Sequence, residues 1–156
     1  MDLPLFERPE AVSREGSTAF DTMRDFLGRF PAAELPSALV LLQPTSPLRE
    51  AGDIEGALAV YRRQTPPCDA VIGVFEPPKP LQWAYRVSGD DGRLSRAWEP
   101  TEAMAYPNGA VYVFDPRLVL DNPALGGFDA ERLRIVGYDM PWERSVDVDT
   151  DADFHM

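Results

Sequence analysis

The stretch Leu39-Val40-Leu41-Leu42-Gln43-Pro44-Thr45-Ser46-Pro47-Leu48-Arg49 constrains this chain more than any other. It reads as a short apolar strand that stops at a polar loop pinned by two prolines. In an open α/β sheet, ligands bind just outside the carboxyl ends of strands. The stretch therefore predicts both a fold class and a place for chemistry.

The neighbouring segments extend that reading. Residues 38–42 are a proline-bounded apolar run, consistent with a strand buried on both faces. Ile54, Ala57, Leu58 and Tyr61 recur at helical spacing, with Asp53 as a candidate cap and Pro66-Pro67 as the stop. Residues 69–75 form a second strand-like run. Strand, loop, helix and strand in about 40 residues are the proportions of a βαβ crossover with a parallel sheet.

Upstream, Phe20, Met23, Phe26, Leu27 and Phe30 define one face of a helix. Ser17 or Thr18 is its candidate N-cap, and Pro31 and Pro36 close it. Leu3, Leu5 and Phe6 suggest a short edge strand limited by Pro4 and Pro9. Downstream, Pro77, Pro78 and Pro80 mark an excursion. Residues 83–87 and 93–97 flank Gly89-Asp90-Asp91-Gly92 and predict a hairpin. Asn108-Gly109 is expected to turn into a strand over residues 110–114, and 133–136 reads as another short strand. Residues 145–150 alternate cleanly, which predicts a last strand.

Composition narrows the function classes. The 156 residues fit one domain spanning 1–156, and 44% hydrophobic residues suffice for a core. No apolar run approaches the length of a membrane span, and no basic, apolar secretory leader is visible. Cys68 is the single cysteine, so neither a disulfide framework nor a cysteine-based zinc site is expected. A cytoplasmic setting follows as the expectation. The net charge of −11 argues against a passive grip on nucleic acid or an anionic membrane, because both need basic patches.

The acids are uneven: Asp139, Glu143, Asp147, Asp149, Asp151 and Asp153 crowd the C-terminal end. On an extended strand, residues two apart share a face, so Asp147 and Asp149 would stand side by side. Paired carboxylates with open water positions suit Mg²⁺, which takes one or two of them plus substrate phosphates. The other reading is a solvated acidic edge leading into a helix N-terminus, which suits Asp151 and Asp153. In the proline-flanked loop, Gln43, Thr45 and Ser46 are either aimed at a ligand or capping their own backbone. Asn108 is a turn residue or a pocket residue. Arg8 is a phosphate ligand or a surface cation. The only histidine, His155, is next to last, which argues against Ser-His-Asp chemistry, and no G-x-G-x-x-G or Walker loop occurs.

Three separated motifs occur in one order: Leu42-Gln43-Pro44-Thr45-Ser46-Pro47-Leu48-Arg49, Asn108-Gly109-Ala110-Val111-Tyr112, and Met140-Pro141-Trp142-Glu143-Arg144-Ser145-Val146-Asp147-Val148-Asp149-Thr150. Together they resemble the acylneuraminate cytidylyltransferases, the CMP-sialic acid synthetases and their bacterial relatives for legionaminic and pseudaminic acids. Arg8-Pro9-Glu10 followed by Ser17-Thr18 is similar to the family's Arg-Pro segment before a helix start.

The resemblance implies an α/β, Rossmann-like nucleotidyltransferase fold with a mostly parallel sheet. It implies a homodimer with a hairpin dimerisation arm over about residues 77–107. The reaction it implies is Mg²⁺-dependent transfer of CMP from CTP to a nine-carbon α-keto acid sugar, releasing pyrophosphate, in activated-sugar synthesis for surface glycans. By the same resemblance, Asp147 and Asp149 are the catalytic metal ligands. Gln43, Thr45, Ser46 and Asn108 meet the sugar, and Arg8, Ser17 and Thr18 lie on the nucleotide side.

Two departures stand against it. The family opens with a strand and a Gly/Lys-rich phosphate loop, and nothing in this chain matches that segment, so an N-terminally truncated version of the fold is expected. The family also often places an arginine before Pro-Asn-Gly and a basic residue in the arm; Tyr106 and Gln82 stand at those positions. Two other readings follow: a catalytically incomplete fragment or non-catalytic partner subunit of an intact synthetase, and a glycosyltransferase with an Asp-x-Asp motif.

Overall fold

The computed structural model describes residues 6–79, 84–88, 93–96, 104–122 and 132–155. Leu3 and Leu5 of the expected entry strand, Gln82, Trp83, Ala97 and the Gly89-Asp90-Asp91-Gly92 turn lie outside the described residues.

Helix α1 (Ala19–Leu27) starts where the sequence places it. Thr18 is the N-cap: its hydroxyl accepts from the Asp21 amide, and the Asp21 carboxylate accepts from the Thr18 amide. That reciprocal pair satisfies two of the orphan donors of the first turn. The helix ends at Leu27, short of Phe30, with Gly28 as C-cap.

Strand β1 (Leu39–Leu41) follows and leads through the proline-flanked loop to α2 (Ala51–Arg62). Asp53 is not the N-cap of α2. Glu50 holds that position, and Asp53, in the first turn, accepts the Glu50 amide at 2.8 Å. Strand β2 (Ala70–Phe75) completes the expected unit.

Strands β3 (Tyr85–Ser88) and β4 (Arg93–Arg96) pair antiparallel as a separate two-stranded sheet, as the hairpin reading expects. Then come β5 (Tyr106–Phe114), α3 (Pro116–Asp121), β6 (Ile135–Asp139) and α4 (Asp151–Phe154).

The main sheet has the order β1-β5-β2-β6. Strands β1, β2 and β6 run one way and β5 runs against them. The crossover from β1 through α2 to β2 is present, but β5 is inserted between the two strands and hydrogen-bonds to both. Among the described residues β1 is therefore an edge strand, and Leu39, Val40 and Leu41 are half-buried rather than enclosed on both faces. The fully buried strand is β5, from Asn108 to Phe114.

Alternation along β5 builds the two cores. Val111 and Val113 face α2, packing with Ala57, Val60, Val71 and Met140. Tyr112 and Phe114 face α1 and α3, packing with Phe20, Met23, Leu27 and Val119. Each fully buried valine or leucine side chain of these layers contributes about 1.5–3 kcal/mol.

Two expectations are corrected at the site. Asn108-Gly109 is not a hairpin turn; it lies inside β5 at a register shift. Ile72 pairs with Tyr112 and Val74 with Pro107, so Gly73 alone opposes Asn108, Gly109, Ala110 and Val111. Such bulges re-aim side chains at strand ends. Residues 145–150 form no strand: Val148 N–H donates to Thr45 C=O at 2.8 Å, but no ladder continues on either side of it among the described residues.

Candidate active site

Past the carboxyl end of β1, Gln43 and Thr45 are half-buried, Pro44 is exposed and Ser46 turns into the interior. The Ser46 amide donates to the Gln43 carbonyl at 3.3 Å, which closes a tight turn between the two prolines. Ser46 is fully buried. Arg49 then reaches back: one guanidinium nitrogen donates to the carbonyls of Gln43 (2.6 Å), Ser46 (2.8 Å) and Ala110 (3.3 Å). Charge-assisted hydrogen bonds of this kind are the strong ones. They fix the loop to β5 at the bulge.

The bulge places Gly109 at the centre. Its φ is +71°, a left-handed conformation that favours glycine. A Cβ there would lie 2.6 Å from Asp147 Oδ2, 2.7 Å from Ser46 Oγ and 2.9 Å from Gln43 Oε1. Three polar side chains from three separated segments thus converge on one main-chain position. Ser46 Oγ is 3.2 Å from both the Asn108 carbonyl and Asp147 Oδ1. Both are acceptors, and the hydroxyl has one proton, so it serves one at a time. Tyr112 joins from the other face, its hydroxyl 3.4 Å from Gln43 Oε1. Burial, and then the Asp147 charge, raise the Tyr112 phenol above its ordinary pKa.

Asn108 lines the cavity that also holds Asp147, and its side chain is bonded within the protein. Its amide nitrogen donates to Ser145 Oγ at 3.0 Å and approaches Met140 Sδ at 3.1 Å, and its oxygen accepts from the Ala110 amide at 3.1 Å. It is almost fully buried. The side chain fits over Gly73, where a Cβ would meet its oxygen at 2.6 Å. Asn108 therefore locks the bulge to the segment that carries Asp147.

Arg144, next to Ser145, anchors the same end of that segment. The guanidinium makes a two-pronged pair with Asp53, 2.9 Å on each arm, and the Asp53 side chain is 1% exposed. Arg144 holds the Asp53 carboxyl below the usual carboxylate range. Ser145 Oγ donates to Pro141 C=O at 2.8 Å. The chain is therefore tied to α2, to Asn108 and, through Val148, to the Thr45 carbonyl before Asp149 is reached.

Asp147 and Asp149 line one cavity of about 320 Å³ together with Asn108, Ser145 and the rings of Phe75, Tyr106 and Trp142. Asp153 also lines it, but its carboxylate is engaged as the partner of the Thr150 N-cap, accepting from the amides of Thr150 (2.8 Å) and Asp149 (3.1 Å). The acidic-helix-start reading thus holds for Asp151 and Asp153. Among the described residues no cluster of three or more metal-type ligands forms. Two carboxylates in one cavity still match the donor set that Mg²⁺ takes when phosphates supply the remaining oxygens.

The structure brings Gln43, Ser46, Asn108 and Asp147 together, with Thr45 adjoining through its carbonyl. It does not bring Arg8 or Thr18 into that cluster. Arg8 lines a separate groove against β1 and donates to Ser13 Oγ at 3.0 Å. The Thr18 hydroxyl is occupied by the α1 cap, and Ser17 immediately precedes it. Sequence reasoning missed Arg49, Arg144, Asp53 and Tyr112 as parts of the site. All but Asp53 lie inside the quoted motifs, but periodicity carries no signal for the distant Ala110 carbonyl and Asp53 carboxylate that the arginines reach.

No protein-family model matches the chain. It is 30% identical over 159 aligned residues to the N-acylneuraminate cytidylyltransferase of Streptococcus agalactiae serotype III (strain NEM316), covering 96% of this chain and 35% of that protein. The proteins of the same name from serotypes Ia and V give the same identity and coverage. The chain thus spans about a third of the length of these curated relatives. Among solved structures, the crystal structure of 4-diphosphocytidyl-2C-methyl-D-erythritolsynthase from Anaerococcus prevotii superposes with a TM-score of 0.59 at 10% identity, over 88% of this chain and 64% of that one. That likeness bears on the fold and agrees with the expected α/β nucleotidyltransferase-like architecture.

Proposed function

We propose, for a chain related along nearly its whole length to part of the N-acylneuraminate cytidylyltransferases, that it serves CMP transfer from CTP to a nonulosonic acid. In that reaction the anomeric hydroxyl oxygen of the sugar bonds to the α-phosphorus. The bond from that phosphorus to the bridging oxygen breaks, pyrophosphate leaves, and the hydroxyl proton is released. The observation that carries the reading is the convergence of Gln43, Ser46 and Asp147 on Gly109 at the carboxyl end of β1.

In this reading Asp147 and Asp149 hold Mg²⁺, which when bound offsets phosphate charge and orients the triphosphate. The Gln43 oxygen accepts from the Tyr112 hydroxyl, and in this reading the amide N–H groups would serve the sugar hydroxyls. Thr45 and Ser46 shape the loop around the sugar, and Ser46 holds Asp147 in place. Asn108 acts by positioning. Arg8, Ser17 and Thr18 remain proposed for the nucleotide side, with the Thr18 hydroxyl already committed to its cap.

A homodimer through the hairpin is part of the proposal. Val87 and Leu94 are cross-strand partners, and both are exposed together with Tyr85, which leaves an apolar face for a second copy. No helix among the described residues is long and apolar enough to cross a membrane. The test is formation of the CMP-sugar from CTP, Mg²⁺ and N-acetylneuraminic, legionaminic or pseudaminic acid, read by mass spectrometry. Absence of product with every sugar, from folded protein, would count against it.

A second reading has one observation in its favour. None of the described residues that line the cavity is Lys or Arg, a lining that would suit a subunit whose partner synthetase supplies the cations for the triphosphate. A subunit that supports an intact synthetase should then co-purify with one and raise its activity.

A further inference from the structure

The cavity that holds Asp147 and Asp149 has an aromatic wall to which the reading above gives no role. The Phe75 ring stacks on Tyr106 with centroids 6.0 Å apart and planes at 29°, and it packs against Trp142 at 5.3 Å. The three rings come from β2, β5 and the 3-10 turn Trp142–Arg144. They are not core residues: Tyr106 is 40% and Trp142 46% exposed. Asp147, Asp149 and Asp153 line the same cavity.

The face of an aromatic ring carries negative quadrupole density and attracts cations, tryptophan most strongly. Carboxylates nearby add a preference of the same sign and repel anions. Acidic groups alone would favour a small, strongly hydrated metal ion. Exposed rings favour a weakly hydrated, planar or alkylated cation, because such a group sheds its water at lower cost and lies flat on the π-face.

We infer that Trp142 and Tyr106 form a subsite for a planar, positively charged nitrogen substituent, an amidinium group, on the sugar. That the group belongs to a sugar rests on the function proposed above; the preference for a cation over its neutral isostere does not.

Acetamidinium and acetamide have the same shape and differ by one charge. Each is titrated into the 156-residue chain at constant ionic strength, with the Trp142 indole N–H followed by NMR. Acetamidinium should reach half-saturation at a concentration about tenfold lower than acetamide, the discrimination of a partly desolvated cation–π contact. The Trp142→Leu and Tyr106→Leu variants should lose most of that preference, read from neighbouring amide signals; both positions are exposed enough to tolerate the change. Equal titration by the two compounds would overturn the inference. So would a tenfold preference that survives in both variants, which would assign it to the carboxylates alone. A failed transferase assay leaves this titration standing, and a failed titration leaves the transferase assay standing.

Discussion

The Ser46 hydroxyl lies 3.2 Å from Asp147 Oδ1, a contact across 101 positions of sequence, and Ser46 Oγ and Asp147 Oδ2 occupy the space a Cβ of Gly109 would need. The site is therefore organised around a residue that has no side chain. Gly109→Ala should lower stability by about 1–3 kcal/mol, from the positive φ and from displacement of three polar groups. Gly52, in the first turn of α2, has nothing within 4 Å of where a Cβ would be. Gly52→Ala should be neutral or stabilising by up to about 1 kcal/mol. Thermal melts of the two variants, side by side, check the contrast.

The Arg144–Asp53 pair should be asymmetric. Arg144→Leu leaves a carboxylate that is 1% exposed without its partner, and should cost about 3–5 kcal/mol. Asp53→Asn leaves an arginine that is 33% exposed and can turn to water, and should cost about 1–2 kcal/mol. Urea denaturation of both variants measures the difference. Equal costs would mean that the pair does not anchor the Asp147 segment as described.

Acid should weaken the fold through the same carboxylate. Asp53, Asp21 and Asp153 are all held below the ordinary aspartate range, Asp53 chiefly by Arg144 and the other two chiefly by their Thr-capped helix starts. A depressed folded-state pKa gives stability that is present above the unfolded value of about 3.9 and lost as pH falls through the folded value. Melting temperature should therefore fall on acidification below about pH 5, and Asp53→Asn should flatten that fall.

Thr18→Ala should remove the α1 cap and cost about 1 kcal/mol, or about 2–4 °C in melting temperature for a chain of this size. Thr18→Ser should restore it. Calorimetry on the three proteins reads the sequence directly.

Much of this was legible in the residues. Helical spacing located α1 and α2, and the Thr18 cap was visible as a capping-type residue before an apolar run. The apolar runs located β1, β2 and β5. The insertion of β5 between β1 and β2 was not legible, because local pattern carries strand identity and not strand order. Asn108-Gly109 misled for a physical reason. The pair supplies a positive φ equally well to a hairpin turn and to a bulge, and only the pairing of Gly73 across the sheet decides between them. Residues 145–150 alternate like a strand, yet their ends are fixed by Arg144 and by the Thr150 cap, not by a ladder. The Ala110 carbonyl that Arg49 reaches and the Asp53 carboxylate that Arg144 reaches lie far away in sequence and leave no periodic trace.

The most direct measurement is pyrophosphate release from CTP by the wild-type chain and by Asp147→Asn, with Mg²⁺ and a nonulosonic acid. Release should require all three components and fall on the order of a hundredfold in the variant, the scale of a lost metal-holding carboxylate. Equal release from the two proteins, or release that does not depend on the sugar, would contradict the account.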